Sequence, residues 1–418
     1  MNIFLCLIGS NPLPNYVMCS YLKQGDRTDK DVLPVPDYYL FVCSNDTKEF
    51  ADKIVKQLMI KNRCDLISLG NDMRRNSVIK CEIGKALDKL YKTKGKFTTL
   101  HLNYTGGTKP MAVHSHALIS ECAAKYGVDG KNVIFSDLDP EKNKILLDND
   151  DFYPTGSDLR NYVKLSIFNL FDLHNMEIKN RGFDSKCINL NIFEYAKDFS
   201  KELKSLKGNC QIVNFFRSFE IEWSHRNRAV SNLEQETKKQ FDKYIEEKAK
   251  LYNFESKKIK DMSAEEIETI VKFFKGGWLE DLILEKVKEI GRKYCIDEAR
   301  RSVKPQYKGR DCEIDVIVMK GYQMFLFSCT TSQDIKLVKQ KAFEAIYRAQ
   351  QLGGDHAQVI VVNLMNNKAK NSKDENNNET LDKDLSSFGA QKNVSLIGFE
   401  DIIDEQKLEN KLMSILSR

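Results

Sequence analysis

The sequence predicts a multidomain α/β protein, and three observations support this fold class. The chain has 418 residues, which corresponds to two or three domains at roughly 150 residues each. Short apolar runs alternate with amphipathic helical patterns over residues 1–150, and strands and helices are again interspersed after residue 262. Hydrophobic residues make up 41% and charged residues 30% of the chain, a composition typical of globular proteins and not of fibrous or disordered ones.

The first 150 residues alternate between predicted strands and helices. Apolar runs at 3–8, 38–43, 97–102 and 132–135 predict strands, and helical patterns at 46–59 and 79–91 lie between them. This alternation favours βαβ units and a mostly parallel sheet. Because ligands bind outside the carboxyl ends of the strands in such sheets, the loops that follow the strands are the candidate binding site.

The rest of the chain divides into two regions. Between 151 and 262, helical patterns at 165–174, 192–206 and 233–253 predict a helical connector or dimer-forming element. From 263 onward the patterns predict a helix at 277–292, strands at 313–319 and 323–329, a helix at 333–351, a strand at 359–362, and a last strand and helix after 394. The polar, Asn-rich stretch 366–384 predicts a mobile loop.

Charge and cysteine content argue against several classes of protein. The 65 Lys and Arg residues nearly balance the 60 Asp and Glu residues, so binding of nucleic acid through bulk charge is not expected. Eleven scattered cysteines without metal-ligand spacing indicate reduced thiols. No run of about 18 apolar residues is found, and the first apolar run lacks a basic leader. We therefore expect a cytoplasmic protein without membrane contact.

A glycine-containing loop follows the predicted strand at 97–102. It consists of Thr105, Gly106, Gly107, Thr108 and Lys109, and a helix begins directly after it. Two glycines allow a tight turn that presents backbone N–H groups outward. The helix N-terminus, the threonine hydroxyls and the lysine favour an anion, so the loop predicts a phosphate site. Its spacing differs from that of a Walker A loop.

A second polar loop, residues 9–16, follows the first predicted strand. The first strand of a doubly wound sheet is usually central, so this loop is expected beside the glycine-containing loop. Ser10, Asn11 and Asn15 are candidates for contacts with a base or a ribose.

These two loops resemble those of the CRISPR-associated Rossmann-fold (CARF) sensor domains, specifically the subgroup fused to a C-terminal restriction-type nuclease. The resemblance implies a Rossmann-like CARF domain at 1–150, a helical connector at 151–262 and an α/β restriction-endonuclease-like domain at 263–418. It also implies a cyclic oligoadenylate ligand, a ring-shaped RNA messenger of type III CRISPR immunity, with cyclic tetra-adenylate favoured. The ring would be bound across the two-fold axis of a homodimer by Ser10, Asn11 and residues 105–109 of each protomer.

The last third of the chain is similar in element order to the PD-(D/E)xK nucleases. Glu280 lies in the first helix, and Asp315 lies on the strand that follows. Both suit the coordination of Mg²⁺ or Mn²⁺, which prefer carboxylate oxygens. Glu313 precedes Asp315 by two residues and shares its strand face, so it is a third candidate ligand.

The last position of the nuclease motif departs from the family pattern. Where Glu-x-Lys or a variant is expected, the sequence has Ser328 and, in place of the lysine, Thr330. Threonine carries no charge and cannot replace a lysine directly. Among the lysines of the following helix we favour Lys341 as the replacement, because it shares one helical face with Glu344 and Arg348.

Three functions stay open on this evidence. The favoured one is a messenger-activated, metal-dependent nuclease that cleaves single-stranded or supercoiled nucleic acid, either DNA or RNA. The second is a non-catalytic messenger sensor with a degenerate nuclease domain. The third is a ring nuclease that degrades the messenger in the CARF pocket, with Thr108 and Lys109 stabilising the developing charge.

Overall fold

A computed structural model describes residues 1–24, 33–155, 157–206, 210–307, 309–369, 376–389 and 393–417. Two seven-stranded sheets organise this part of the chain. The strands of the first sheet are β1 (Asn2–Leu7), β2 (Tyr38–Cys43), β3 (Cys64–Ser68), β4 (Thr99–Asn103), β5 (Val133–Asp139), β6 (Lys144–Leu147) and β7 (Phe152–Tyr153). The helices between them are α1 (Leu13–Lys23), α2 (Lys48–Leu58), α3 (Asn76–Lys94) and α4 (Lys109–Cys122).

The first sheet has the order β3-β2-β1-β4-β5-β6-β7. Strands β1 to β5 are parallel, and β6 and β7 extend the sheet as antiparallel strands. In β1, Leu5 pairs with Leu40 of β2 and Leu102 of β4, and all three side chains are buried. The predicted strands at 3–8 and 38–43 are thus confirmed, and β1 lies beside β4 as expected.

The second part of the chain begins with helices. These are α5 (Ile167–Leu173), α6 (Ile192–Ser205), α7 (Gln211–His225), α8 (Gln235–Tyr252) and α9 (Ala264–Lys272), with the short strand β8 (Glu177–Asn180) after α5. A π-helical turn, Phe273–Gly277, then joins α9 to α10 (Trp278–Gly291).

The strands and helices after α10 complete the second sheet. They are β9 (Glu298–Tyr307), β10 (Arg310–Asp311), β11 (Ile314–Lys320), β12 (Gln323–Cys329), α11 (Ile335–Gly353), β13 (Gln358–Val362), α12 (Asn378–Ser387), β14 (Val394–Ile397), α13 (Phe399–Ile402) and α14 (Glu405–Leu416). The sheet order is β10-β9-β11-β12-β13-β14, with β8 paired to β9. Strands β9, β11 and β12 are antiparallel, whereas β12, β13 and β14 are parallel.

Helices α6 to α9 share a buried core with the second sheet. Their apolar side chains share one buried cluster with α10 and with strands β11, β12 and β13. Trp278 is fully buried in this cluster, and Phe216 of α7 stacks on Phe274 with 4.8 Å between ring centroids. The helices that the sequence suggests as a connector therefore form a helical layer of the second half.

The two halves of the molecule, one built around each sheet, also share a core. One buried cluster contains residues of α1, α5, β11, β12 and α11. Polar contacts accompany it: Arg160 Nη1 donates to Gln323 Oε1 at 2.6 Å, and Tyr322 donates to Asn143 Oδ1 at 3.1 Å. Because these groups are buried, the contacts fix how the two halves meet.

The prediction of a mobile loop over 366–384 is wrong at its end. Helix α12 begins at Asn378, because the Asn377 side chain caps it by accepting from the Thr380 amide at 2.9 Å. Leu381 and Leu385, four residues apart, bury one face of this helix. Residues 370–375 of the predicted loop lie outside the described residues.

Among the described residues, no helix has both the length and the apolar composition needed to cross a bilayer.

Candidate functional site

Two loops meet at the carboxyl ends of β1 and β4. We call residues 105–109 the glycine loop and residues 9–12 the first loop. The predicted loop at 9–16 is too long at its end, because α1 begins at Leu13 and contains Asn15. A β-carbon added to Gly106 would lie 2.2 Å from the carbonyl oxygen of Leu7, and one added to Gly9 would lie 3.1 Å from the amide nitrogen of Gly107. Backbone therefore packs on backbone, which requires glycine at Gly106. The structure brings the two predicted loops together.

Asn15 holds the two loops together from inside the fold. Its Nδ2 donates to the carbonyl oxygen of Leu7 at 2.9 Å, and a β-carbon on Gly106 would meet its Oδ1 at 2.7 Å. The suggestion that Asn15 contacts a base or ribose is wrong, because its side chain is 0% exposed.

Of the other polar residues of the loops, some are held by hydrogen bonds and others are exposed to solvent. Thr105 Oγ1 accepts from the Leu138 amide at 2.9 Å and ties the glycine loop to β5. Thr108 caps α4 through its side-chain oxygen. Lys109 and Ser10 are exposed. An anion at the N-terminus of α4 would thus meet helix N–H groups and the Lys109 ammonium.

Asn11 of the first loop contacts the second half of the molecule. Its Oδ1 accepts from the Leu13 amide at 3.0 Å. A β-carbon on Gly354, just after α11, would lie 2.5 Å from Asn11 Nδ2. The role of Asn11 in ligand binding stays a prediction, and the contact with Gly354 is one that sequence reasoning did not anticipate.

A second site, which we call the carboxylate cavity, lies between β11, β12 and α11. Its volume is about 250 Å³, and acidic and basic side chains line it together. The charged and hydroxyl side chains of the lining are Glu313, Asp315, Ser328, Lys341, Glu344 and Arg348. The structure therefore brings together two of the three predicted metal ligands and the predicted lysine.

Asp315 lies next to Ser328 in the carboxylate cavity because of the strand register. Val316 of β11 pairs with Phe327 of β12, so the residues that flank this pair are neighbours. The Cys329 amide donates to Asp315 Oδ2 at 2.7 Å. Burial raises the pKa of the Asp315 carboxyl, and the Cys329 amide and nearby lysines oppose this rise.

Glu280, in the first turn of α10, is 7% exposed. Ser302 Oγ donates to its Oε2 at 2.7 Å. Burial raises the pKa of Glu280 to about 7 against the attraction of Lys272, and the negative charge of Asp315 adds to the rise. The charge of Asp315 therefore opposes ionisation of Glu280, as expected for neighbouring carboxylates.

Glu313 is held by two lysines. Its Oε1 forms an ion pair with Lys272, and its Oε2 lies 3.7 Å from Lys304 Nζ. Although burial acts in the opposite direction, the lysines lower the pKa of Glu313. Lys272 also lies 3.5 Å from Glu280 Oε1. Sequence reasoning missed Lys272, because it is on α9, outside the motif, and no sequence pattern marks it.

The α11 side chains face the carboxylate cavity as the helical spacing predicts. Lys341 is exposed and lines the cavity, and it forms no salt bridge with any residue that the structure describes. Arg348 Nη1 donates to the backbone carbonyl of Glu313 at 2.6 Å and pairs with Glu344. Lys341 is thus the cation of this face that stays available to a substrate.

Thr330 contributes no charge to the carboxylate cavity. Its amide donates to the Val362 carbonyl at 2.8 Å, and its hydroxyl accepts from the Ser332 amide at 3.2 Å. It lines a separate cavity of about 530 Å³, together with Arg217 of α7.

The donor set of the site suits a divalent metal ion, since carboxylate oxygens are the ligands that Mg²⁺ and Mn²⁺ prefer. Within the described part of the chain, the one group of three acidic side chains with oxygens all within 4.8 Å of one another lies elsewhere, at Glu289, Glu405 and Glu409. Those three surround the Lys286 ammonium. Next to the carboxylate cavity, whose lining includes Glu313 but not Glu280, the Lys272 ammonium lies between Glu280 and Glu313.

No protein-family model matches the sequence, and no curated protein matches it either. Solved structures do match. Protein VC1899 from Vibrio cholerae superimposes with a TM-score of 0.62 at 13% identity, over 100% of this chain and 98% of its own. Can2 from Sulfobacillus thermosulfidooxidans, solved in complex with cyclic tetra-adenylate, superimposes with a TM-score of 0.60 at 12% identity, over the full length of both chains. The predicted α/β fold class is confirmed, and the chain has the fold of VC1899 and Can2 from end to end.

Proposed function

We propose that this protein is a metal-dependent nuclease of type III CRISPR defence that cyclic oligoadenylate activates. The observation that carries the proposal is the carboxylate cavity, where Asp315, Glu313 and Lys341 meet on one surface. Acidic and basic groups in this arrangement suit phosphodiester hydrolysis, which needs a metal site and a positive charge for the phosphate.

The glycine loop is the proposed messenger site. Can2, which has the same fold, was solved with cyclic tetra-adenylate, and this ring is the ligand we favour here. The residues assigned to it are Ser10, Asn11, Thr105, Gly106, Gly107, Thr108 and Lys109. A cyclic ring presents its phosphates symmetrically, so two copies of the loop in a homodimer would supply matching donors.

The proposed metal ligands are Glu280, Asp315 and Glu313, and the ion is Mg²⁺ or Mn²⁺. When bound, such an ion polarises the scissile phosphate and offsets the charge that develops on it. Asp315 is fixed for this role by its bond from the Cys329 amide. Lys341 provides an ammonium group at the mouth of the cavity that can contact the phosphate. Arg348 holds the backbone at Glu313, directly before β11, by donating to the Glu313 carbonyl.

A non-catalytic sensor is the second candidate, because Thr330 removes the motif lysine and Lys272 occupies the space between Glu280 and Glu313. In that case the protein would bind the messenger without cutting nucleic acid.

Cleavage assays separate the two candidates. Purified protein with Mn²⁺ and cyclic tetra-adenylate should nick supercoiled DNA or cut single-stranded DNA or RNA. Asp315→Ala should abolish cleavage, and Lys341→Ala should lower the rate steeply without loss of messenger binding. Thr330→Lys should restore part of the activity of Lys341→Ala. No cleavage by the native chain with any ring or metal, together with strong cleavage by Thr330→Lys, would establish the non-catalytic sensor.

A further inference from the structure

Lys272 is the last residue of α9, directly before the π-helical turn that leads into α10. Its ammonium contacts three side chains at once. Nζ donates to Ser302 Oγ at 2.6 Å, forms an ion pair with Glu313 and lies 3.5 Å from Glu280 Oε1. It therefore bridges two of the three proposed metal ligands.

The bridge engages every oxygen of both carboxylates. Glu280 uses Oε1 toward Lys272 and Oε2 toward Ser302, and Glu313 uses Oε1 toward Lys272 and Oε2 toward Lys304. Asp315 differs, because only its Oδ2 accepts a hydrogen bond from a described residue, the Cys329 amide.

The backbone at Ser302 supplies an independent observation. Ser302 has a φ of 54°, a left-handed conformation that is costly for a residue with a side chain. Residues Val303 and Arg301 pair with β11 on either side of it. Strained positions inside strands commonly redirect a side chain near a functional site. Here the strain places the Ser302 hydroxyl between Lys272 and Glu280, which indicates that the bridge is more than an incidental surface ion pair.

We propose that Lys272 is a positioning residue of the nuclease: its ammonium, with Ser302, holds Glu280 and Glu313 in place beside Asp315. The inference rests on the proposed function. The work of the absent motif lysine is then divided between two residues. Lys341 faces the substrate from α11, and Lys272 supplies the fixed positive charge that organises the acids from α9. Besides its role as a proposed metal ligand, Glu313 then fixes the position of the Lys272 ammonium through their ion pair.

Two roles of Lys272 can be told apart by how its removal changes Mn²⁺ binding. Lys272 either positions the acids for the ion or competes with the ion for them. Removal of a positive charge by itself would tighten the binding of Mn²⁺, because the site becomes more negative. Removal of a positioning contact would weaken it, because Glu280 and Glu313 lose their common partner and are no longer held in the geometry that the ion requires. The inference requires the weaker binding.

The test is a titration of Mn²⁺ by electron paramagnetic resonance, without nucleic acid, at one fixed pH. Lys272→Met and Ser302→Ala should each raise the Kd for Mn²⁺ by at least 5-fold, and Lys272→Arg should restore it to within about 2-fold (effects on the order of one to two powers of ten are typical for groups that orient metal ligands). Lys275→Met is the matched control, since Lys275 lies in the same segment, pairs with Glu220 and contacts none of the three acids. Thermal melts verify that each variant folds.

Cleavage assays of the same variants show whether the role of Lys272 or the proposed nuclease function is at fault when an expected result fails. Loss of cleavage in Lys272→Met with recovery in Lys272→Arg supports the inference. Unchanged or tighter Mn²⁺ binding by both Lys272→Met and Ser302→Ala overturns it, even if the native chain cleaves. A native chain that binds Mn²⁺ but never cleaves overturns the proposed function, and both proposals then fail.

Discussion

The side-chain amide of Asn11 lies against Gly354, so close that a β-carbon at Gly354 would be 2.5 Å from Asn11 Nδ2. Asn11 belongs to the first loop, and Gly354 caps α11 through its N–H bond to the Gln350 carbonyl. Because α11 also carries Lys341 and Arg348, a single helix connects the proposed messenger site with the carboxylate cavity within one chain.

Gly354→Ala should therefore impair the coupling of the two sites. Gly354 has φ 56° and ψ −140°, which costs about 1–3 kcal/mol for a residue with a side chain, and the added methyl group would also collide with Asn11. We expect a lower melting temperature and a smaller stimulation of cleavage by cyclic tetra-adenylate. Calorimetry and paired cleavage assays with and without the ring measure the two effects.

Gly95→Ala is the control for that variant. Gly95 has a similar backbone conformation, φ 86° and ψ −162°, but a β-carbon there would meet nothing within 4 Å. Gly95→Ala should therefore cause a similar backbone strain but leave the stimulation of cleavage by cyclic tetra-adenylate unchanged. Equal stimulation in Gly354→Ala and Gly95→Ala would show that the Asn11 contact plays no part in coupling.

Lys109→Ala should weaken the binding of cyclic tetra-adenylate. A charged hydrogen bond contributes about 1–3 kcal/mol, which corresponds to a rise in Kd of roughly 5- to 150-fold. Isothermal titration calorimetry measures it, and the weakening should diminish at high salt because Lys109 is exposed. An unchanged Kd would remove Lys109 from the binding site.

Gly106→Ala should abolish messenger binding by displacing the loop. Its β-carbon would lie 2.2 Å from the Leu7 carbonyl oxygen, a contact that neither backbone segment can relieve by rotating a side chain. Gly130→Ala, where a β-carbon meets nothing within 4 Å, is the control. If Gly106→Ala bound the ring as tightly as Gly130→Ala does, the glycine loop would not be the messenger site.

The stability of the protein should fall in mild acid because of buried histidines. Burial lowers the pKa of His356 to about 4 and that of His174 to about 4. Between pH about 6.5, the pKa of an unfolded histidine, and pH about 4, the unfolded chain binds more protons, so the free energy of unfolding decreases as pH falls. Each histidine contributes up to about 3 kcal/mol to this loss.

Denaturant melts at pH 7 and pH 5 test this expectation. His356→Gln should be less sensitive to acid than the native chain, whereas His225→Gln, at an exposed position, should behave like the native chain. The same acid sensitivity in His356→Gln and the native chain would contradict the assignment to His356.

Local patterns were sufficient to predict much of the fold. The apolar runs that became β1, β2, β11 and β12 are short, rich in branched and aromatic residues, and bounded by turn residues. The place of the glycine loop between β4 and α4 was also predictable, because tight turns and helix starts depend on neighbours in sequence. Its role in binding stays a prediction. The face shared by Lys341 and Arg348 follows from helical periodicity alone.

Other features depend on contacts between distant segments. Strand β9 was not predicted because charged residues such as Arg301 and Lys304 interrupt its apolar pattern. Arg301 is buried, and it pairs there with Asp281 of α10. Lys272 of α9 contacts Glu280 of α10 and Glu313, which precedes β11, and no sequence pattern indicates these contacts. Asn15 resembles a surface residue in sequence and is buried because the glycine loop covers it.

The core that joins the two halves has a consequence for protein engineering. A reporter made by cutting the chain after the first sheet would expose the apolar side chains of α1 that now share one buried cluster with α5, β11, β12 and α11. Such a fragment would present a large apolar patch and would be prone to aggregate. A fluorescent sensor for cyclic oligoadenylates is better built on the whole chain, with the dye near Lys109 and cleavage silenced by Asp315→Ala.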